Sequence, residues 1–134
     1  MRHGTGSGAS RLLRGHNGIF ERVERRLAAF CGQPASLIFS SGYAANVGLI
    51  SALLQPGDVI FSDSLNHASI IDGIRLSKAE RRIFPHQDLA TLGRMLAECT
   101  ARRRFIFVES LFSMDGDLTD LSALCQLAEE HGAA

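Results

Sequence analysis

Apolar residues recur along this chain in two alternating rhythms. From Asn17 onward, Phe20, Val23, Leu27 and Phe30 stand at helical spacing, Glu21 sits four residues before Arg25, and Gly32 and Pro34 close the segment. That pattern predicts an amphipathic helix. The short run Ser36-Leu37-Ile38-Phe39-Ser40 follows and ends at Gly42, after which residues 43–54 are Ala-rich and apolar up to Pro56 and Gly57. Strand, turn and helix are expected there. The alternation then repeats: strand over 58–62, helix over 67–77, strand over 82–84, and a helix N-capped by Asp88 with Leu89, Leu92, Leu96 and Cys99 on one face. A strand over 105–108 and a helix over 119–131, ending at Gly132, complete the series. Apolar strands separated by helices predict βα units, and so an α/β fold with a mainly parallel sheet and helices on both faces. Residues 1–18 are Gly-rich and aperiodic and are expected to form a loop segment before the βα region of 19–134.

Composition narrows the chemistry. The 134 residues, 46% of them hydrophobic, suffice for one core, and 14 Lys+Arg against 14 Asp+Glu leave no net charge. A neutral chain has no global field to draw in phosphates, which argues against a nucleic-acid partner. Thirteen of the 14 cations are Arg and only Lys78 is a lysine. Arg does not deprotonate in proteins, so a reaction needing a neutral side-chain amine has one candidate. Cys31, Cys99 and Cys125 are odd in number and widely spaced, and read as reduced, core-type thiols in a cytoplasmic setting. No apolar run reaches membrane-spanning length and the first residues lack an apolar signal region, so a soluble, unexported protein with no membrane partner is expected.

Several motifs dissolve when their context is read. Gly4-Thr5-Gly6-Ser7-Gly8-Ala9 satisfies G-x-G-x-x-A formally, but a dinucleotide fingerprint needs a strand before it, and only three residues precede this one. Asp115-Gly116-Asp117 opens like a calcium loop, yet Asp120 stands where a glycine belongs and Gln126 where the bidentate Glu belongs, leaving a turn and a helix start. His3, His16, His86 and His131 share no metal-ligand spacing; they are expected at the surface or in loops, and no metal site is expected.

Three strand-to-helix junctions say more. Ser40-Ser41-Gly42-Tyr43-Ala44-Ala45-Asn46 places a helix N-terminus where its free N–H groups and dipole suit an anion such as phosphate, although an ordinary βα turn uses the same residues. His67 opens the next helix at the carboxyl edge of the sheet, where an imidazole can stack on a flat ring or can simply hydrogen-bond locally with Asn66 as N-cap. Glu109-Ser110-Leu111-Phe112-Ser113-Met114-Asp115-Gly116-Asp117 follows the most apolar strand; Ser113 could bond a ligand hydroxyl, and turn chemistry accounts for the same composition. Parallel strands bring these three junctions to one edge. Arg81-Arg82 and Arg102-Arg103-Arg104 precede strands, at the opposite edge, and read as solvated charge.

At these residues the chain resembles the α-oxoamine synthases, fold-type-I enzymes of pyridoxal 5'-phosphate (PLP) that condense an amino acid with an acyl thioester and release carbon dioxide. The resemblance runs in order through Gly6-Ser7-Gly8-Ala9-Ser10-Arg11-Leu12, Ser41-Gly42-Tyr43-Ala44-Ala45-Asn46, Leu65-Asn66-His67-Ala68-Ser69-Ile70-Ile71-Asp72-Gly73 and Phe112-Ser113-Met114-Asp115-Gly116-Asp117. It implies part of the large domain of a PLP-dependent transferase, with the backbone amides of Gly42 and Tyr43 on the cofactor phosphate, His67 stacked on the pyridine ring near the substrate, and Ser113 beside the phenolic oxygen. Asn46 and Glu109 take supporting roles. The first two motifs most resemble members that join L-alanine to a pimeloyl thioester, carried on coenzyme A or on acyl carrier protein, in biotin biosynthesis. The stretch from Asn66 to Gly73 equally resembles members that acetylate glycine. The family also implies a homodimer with its sites near the interface.

In that family the acid that pairs with the pyridine nitrogen lies in an Asp-x-x-His-Gly motif on the strand after the helix ending here at Gly132, and the Schiff-base lysine lies further on. The sequence stops at Ala134, and Lys78, in Arg75-Leu76-Ser77-Lys78-Ala79-Glu80, does not match the family lysine. The expectation is therefore an N-terminal fragment of the cofactor domain that does not turn over by itself. A reading from another class is a non-catalytic half-domain that pairs with a full-length homologue.

Overall fold

Val59–Asp63 has no exposed member, and a strand buried on both faces must be central, with a neighbour on each side and helices above and below. The computed structural model, which describes residues 6–134, has that arrangement. Along the chain run α1 (Gly18–Phe30), α2 (Gly42–Leu53), β1 (Val59–Asp63), α3 (Ala68–Leu76), β2 (Glu80–Phe84), α4 (Leu89–Ala97), β3 (Arg104–Phe107), β4 (Leu111–Phe112), β5 (Asp117–Leu118) and α5 (Leu121–Glu130). β1 lies between β2 and β3, parallel to both, with Ile60 level with Arg81 on one side and Phe105 on the other. β4 and β5 form a separate antiparallel hairpin in which Phe112 faces Asp117. Two compact units divide the chain, Met1–Ser40 and Ser41–Ala134; His3, Gly4 and the rest of residues 1–5 lie outside the described residues.

In Ser41–Ala134, successive side chains of β1 point to opposite faces. Val59 and Phe61 join Phe84, Leu92, Leu96, Cys99 and Leu124 under α4 and α5, while Ile60 joins Ile50, Leu54, Ile70 and Ile74 under α2 and α3. The expected α/β arrangement, a parallel sheet with helices on both faces, is therefore the observed one. Full burial of a side chain such as Phe61, at 0% exposure, stabilises by about 2 kcal/mol. Gly73 sets how closely α3 crosses α2: a Cβ there would stand 2.9 Å from Ile50 Cβ and 3.1 Å from the Asn46 carbonyl oxygen. Ser41, His67, Asp88 and Asp120 each cap a helix with a side-chain acceptor, so every helix after α1 starts at a polar residue that takes one of its free N–H groups.

Several expectations fail for identifiable reasons. Residues 36–40 form no strand. The Ile38 amide donates to Glu24 Oε1 at 2.9 Å, the Ile38 carbonyl accepts from Arg11 Nη1 at 3.3 Å, and Ser36 Oγ donates to the Glu24 carbonyl at 2.7 Å. Side chains thus take the backbone groups of Ile38 that a neighbouring strand would take. Arg11, 2.6 Å from Glu24, together with the Ile38 amide holds the Glu24 carboxyl down at about 2. The apolar stripe of α1 is largely uncovered within Met1–Ser40: Val23, Leu27 and Phe30 are exposed and only Ala28 is buried. The Gly-rich segment, read as loop throughout, makes one wide helical turn at Arg11–Gly15.

The last helix starts at Leu121 rather than Thr119, because Thr119 is tied to the segment before β4, its amide donating to the Ser110 carbonyl and its hydroxyl to the Glu109 carbonyl, and Asp120 is the N-cap. Of the three thiols expected in the core only Cys99 is buried; Cys31 caps the C-terminus of α1 and Cys125 faces away from the core beside inward-facing Leu124. The basic clusters are not simply solvated either. Arg103 reaches buried Asp58 at 3.4 Å and donates to the Leu53 carbonyl, and Arg82 pairs with Glu80 at 2.7 Å. No helix of the described residues is long and apolar enough to cross a membrane.

Candidate functional site

The carboxyl edge of the parallel sheet collects the residues singled out in the sequence. At the start of α2, Ser41 Oγ accepts from the Ala44 amide at 3.1 Å and the Ser41 carbonyl accepts from the Ala45 amide. Among the described residues the amides of Gly42 and Tyr43 have no partner, so two N–H groups at the positive end of the helix remain free. A Cβ built on Gly42 meets nothing within 4 Å, so the turn is open on that side. The Tyr43 hydroxyl donates to Asp72 of α3, which in turn pairs with Arg75 at 3.4 Å. That bond to Asp72 raises the phenol above its ordinary value, so the hydroxyl keeps its proton.

His67 itself is the N-cap of α3, and the expectation that Asn66 fills this role is corrected. His67 Nδ1 accepts from the Ser69 amide at 3.1 Å and lies 2.7 Å from Ser69 Oγ, and its own amide donates to Glu109 Oε1. Asn66 is instead buried as a tie between strand ends, donating to Ser62 Oγ at 3.0 Å and to the Phe107 carbonyl at 2.7 Å. Asn46, one turn into α2, donates to Ser69 Oγ at 2.8 Å. Gly42 and Tyr43 are thereby linked through α2 to the histidine that heads α3.

Ser113 lies in the turn between β4 and β5, exposed, and shares with His67 and Glu109 a cavity of about 290 Å³ walled by Leu65, Phe112, Met114 and Asp115. Gly42 and Tyr43 are not part of that wall. Glu109 is fixed from behind, its carbonyl accepting from Thr119 Oγ1 at 2.6 Å. Lys78, just beyond the C-cap of α3, is exposed with φ of 60°, the conformation of a helix stop, and is not among the residues lining this cavity.

Sequence reasoning missed His86. Assigned to surface or loop, it is half-buried, with Nδ1 2.9 Å from Asp63 Oδ1, Nε2 3.3 Å from Asp117 Oδ2, and its ring edge-on to Phe112 at 4.5 Å. It joins the end of β1 to the hairpin that carries Ser113. The only available signal was its place two residues after a strand, which does not by itself distinguish a clamp from a loop residue.

A parallel sheet whose carboxyl edge presents two free helix N-terminal amides and, apart from them, a capped histidine and a serine hydroxyl on a shared cavity has the form of the α/β domains that bind ligands at that edge. Comparison with known proteins makes this specific. The model of the aminotransferase class I and II family matches residues 3–134. An 8-amino-7-oxononanoate synthase of Azoarcus sp. (strain BH72) is 50% identical over 132 residues, covering 98% of this chain and 34% of that protein. A serine palmitoyltransferase from S. paucimobilis, whose structure holds bound PLP, superposes with a TM-score of 0.93 at 34% identity, over 98% of this chain and 34% of its own. The 8-amino-7-oxononanoate synthase of Francisella tularensis gives a TM-score of 0.76 at 35% identity, over 94% of this chain and 34% of its own. The chain belongs to the aminotransferase class I and II family, and its fold is part of the large domain of a fold-type-I PLP-dependent transferase. It spans about a third of the length of the curated relatives it matches.

Proposed function

We propose that this chain contributes the phosphate-holding and ring-facing part of a PLP site in a cytoplasmic, homodimeric acyltransferase that condenses L-alanine with a pimeloyl thioester, releasing carbon dioxide and the free thiol, as a step of biotin biosynthesis. The observation that supports this reading most is the pair of unpartnered amides at Gly42 and Tyr43, joined through Asn46 and Ser69 to His67 on the cavity it shares with Ser113. The donor set suits the group: a phosphate dianion needs N–H donors at a helix N-terminus, a flat ring needs an imidazole face, and a phenolic oxygen needs a hydroxyl. The relatives named 8-amino-7-oxononanoate synthase support the choice of alanine and a pimeloyl thioester.

When bound, PLP supplies the electron sink that stabilises negative charge at the α-carbon of the amino acid. The chain's own residues bind and orient. The Gly42 and Tyr43 amides hold the phosphate, His67 covers one face of the ring, and Ser113 hydrogen-bonds the phenolic oxygen. Glu109 holds the His67 backbone, and through it the angle of the ring. The acid for the pyridine nitrogen and the lysine that anchors the cofactor are not among these residues.

Gly42→Pro tests the phosphate contact. Proline fits the first helical position, the preceding Ser41 is already extended at φ −157° and ψ 159°, and a Cβ there meets nothing within 4 Å among the described residues. The substitution therefore deletes one amide donor with little else changed. Losing one charge-assisted hydrogen bond should weaken PLP binding about tenfold, read by calorimetric titration, while pyridoxal lacking the phosphate is unaffected. Equal PLP affinity in both proteins removes the phosphate assignment. Thiol release from pimeloyl-CoA with L-alanine, against acetyl-CoA with glycine, measured on the native polypeptide purified from its source cells, decides between the two substrate pairs.

A further inference from the structure

The polarity of the hydrogen bonds around His67 can be followed from a fixed starting point. A backbone N–H can only donate, and the Ser69 amide points at His67 Nδ1 at 3.1 Å, so Nδ1 carries a lone pair and not a proton. Ser69 Oγ, 2.7 Å from the same nitrogen, must then donate its hydroxyl proton to it. With that proton committed, Ser69 Oγ can only accept from its other neighbour, which orients the Asn46 side chain with its amide nitrogen toward Ser69 at 2.8 Å. Ser69 is 0% exposed, so water does not compete for its hydroxyl. The ring's remaining proton sits on Nε2, which has no partner among the described residues.

We propose that Asn46 and Ser69 are positioning residues: a one-way relay from α2 into α3 that holds His67 in the neutral Nε2–H tautomer, so that the ring offers the cavity a hydrogen-bond donor and not an acceptor. The inference rests on the reading of His67 as the ring-facing residue of a PLP site for its use, but its evidence lies in the hydrogen bonds alone. Gly73 makes the relay geometrically possible, since only a residue without a Cβ lets α3 come close enough to α2 for Asn46 to reach Ser69. The relay also gives both motifs a shared purpose: Asn46 ends one and Ser69 follows the histidine of the other.

The test is the tautomer itself, read from ring-nitrogen chemical shifts of ¹⁵N-labelled protein at a pH where imidazoles are neutral. In the native chain, His67 should show one nitrogen of each kind, with Nδ1 unprotonated and Nε2 protonated. Asn46→Asp is isosteric but reverses the relay: a carboxylate accepts the Ser69 proton, that hydroxyl no longer donates to Nδ1, and the two ring shifts should converge as the tautomers mix. Ser69→Ala should shift them in the same direction but less, because the backbone amide remains. A native His67 protonated at Nδ1, or an Asn46→Asp spectrum identical to the native one, overturns the relay. PLP is absent from this experiment, so failure of PLP binding with the tautomer signature intact removes only the functional reading, and loss of the signature with PLP binding intact removes only the relay.

Discussion

Two histidines stand at the carboxyl edge of one parallel sheet and are held in opposite ways. His67, at the head of α3, has its Nδ1 capped by donors, the Ser69 amide and hydroxyl. His86, two residues past β2, faces a carboxylate oxygen with each nitrogen, Asp63 on one side and Asp117 on the other. A carboxylate only accepts, so both contacts are hydrogen bonds at once when both His86 nitrogens carry a proton, the imidazolium form. The first ring is left with a free edge toward a cavity; the second has both edges occupied. A histidine's role follows from whether its neighbours donate or accept, and spacing along the chain carries no trace of that difference.

The largest effect in breaking the comparison should come from Asp63→Ala. Asp63, with a side chain only 1% exposed, accepts from the Leu65 and Gln87 amides as well as from His86, and removing it strands three donors at a cost of about 3 kcal/mol. Denaturant unfolding checks this, and amide exchange of residues 111–118 should rise most, because the hairpin loses its tie to β1. On the His67 side, Gly73→Ala forces α3 off α2 against contacts of 2.9 and 3.1 Å and should cost about 2 kcal/mol. Its distinguishing consequence is a longer Asn46-to-Ser69 separation in a crystal structure of the variant, with the Asp63–His86 pair unchanged.

A pH titration sharpens the contrast without mutation. The Asp63 carboxylate raises the His86 pKa above its ordinary value, with Asp117 adding to it against partial desolvation. A raised folded-state pKa means that the pair's contribution is complete below about pH 6.5, the unfolded value, and is lost as pH rises through the higher folded value. The hairpin should therefore open more readily at about pH 8 than at about pH 6, and His86→Asn should flatten that dependence. The smallest effect is expected for Lys78→Gly. Lys78 holds a left-handed conformation just after α3, so glycine there should stabilise by up to about 1 kcal/mol, measured by thermal unfolding, and change neither histidine.

The order and type of the elements in Ser41–Ala134 were legible because each is written locally. The apolar run of β1, the stop at Pro56 and Gly57, and the acidic cap Asp88 act within a turn or two of themselves. Gly42, Tyr43, His67 and Ser113 were legible as candidates because parallel strands bring strand-to-helix junctions to one edge. Residues 36–40 look like a strand on their own, whereas the bonds of the Ile38 backbone to Glu24 and Arg11 are long-range and left no trace in the local pattern. The β4–β5 hairpin was missed because four strand residues around Gly116 carry no periodicity long enough to register.

What the sequence determined by itself is therefore most of the alternation of strand and helix, the cap at Asp88 and the edge at which chemistry belongs, since these follow from short-range sterics and hydrogen bonding. Only the tertiary structure decided that Asn66 is a buried tie and His67 the cap, that His86 bridges two carboxylates, and that Asn46 reaches Ser69. Each of these depends on the direction of a hydrogen bond between residues that packing, and not chain proximity, brings together: 23 positions apart for Asn46 and Ser69, and 23 and 31 for His86 and its two acids.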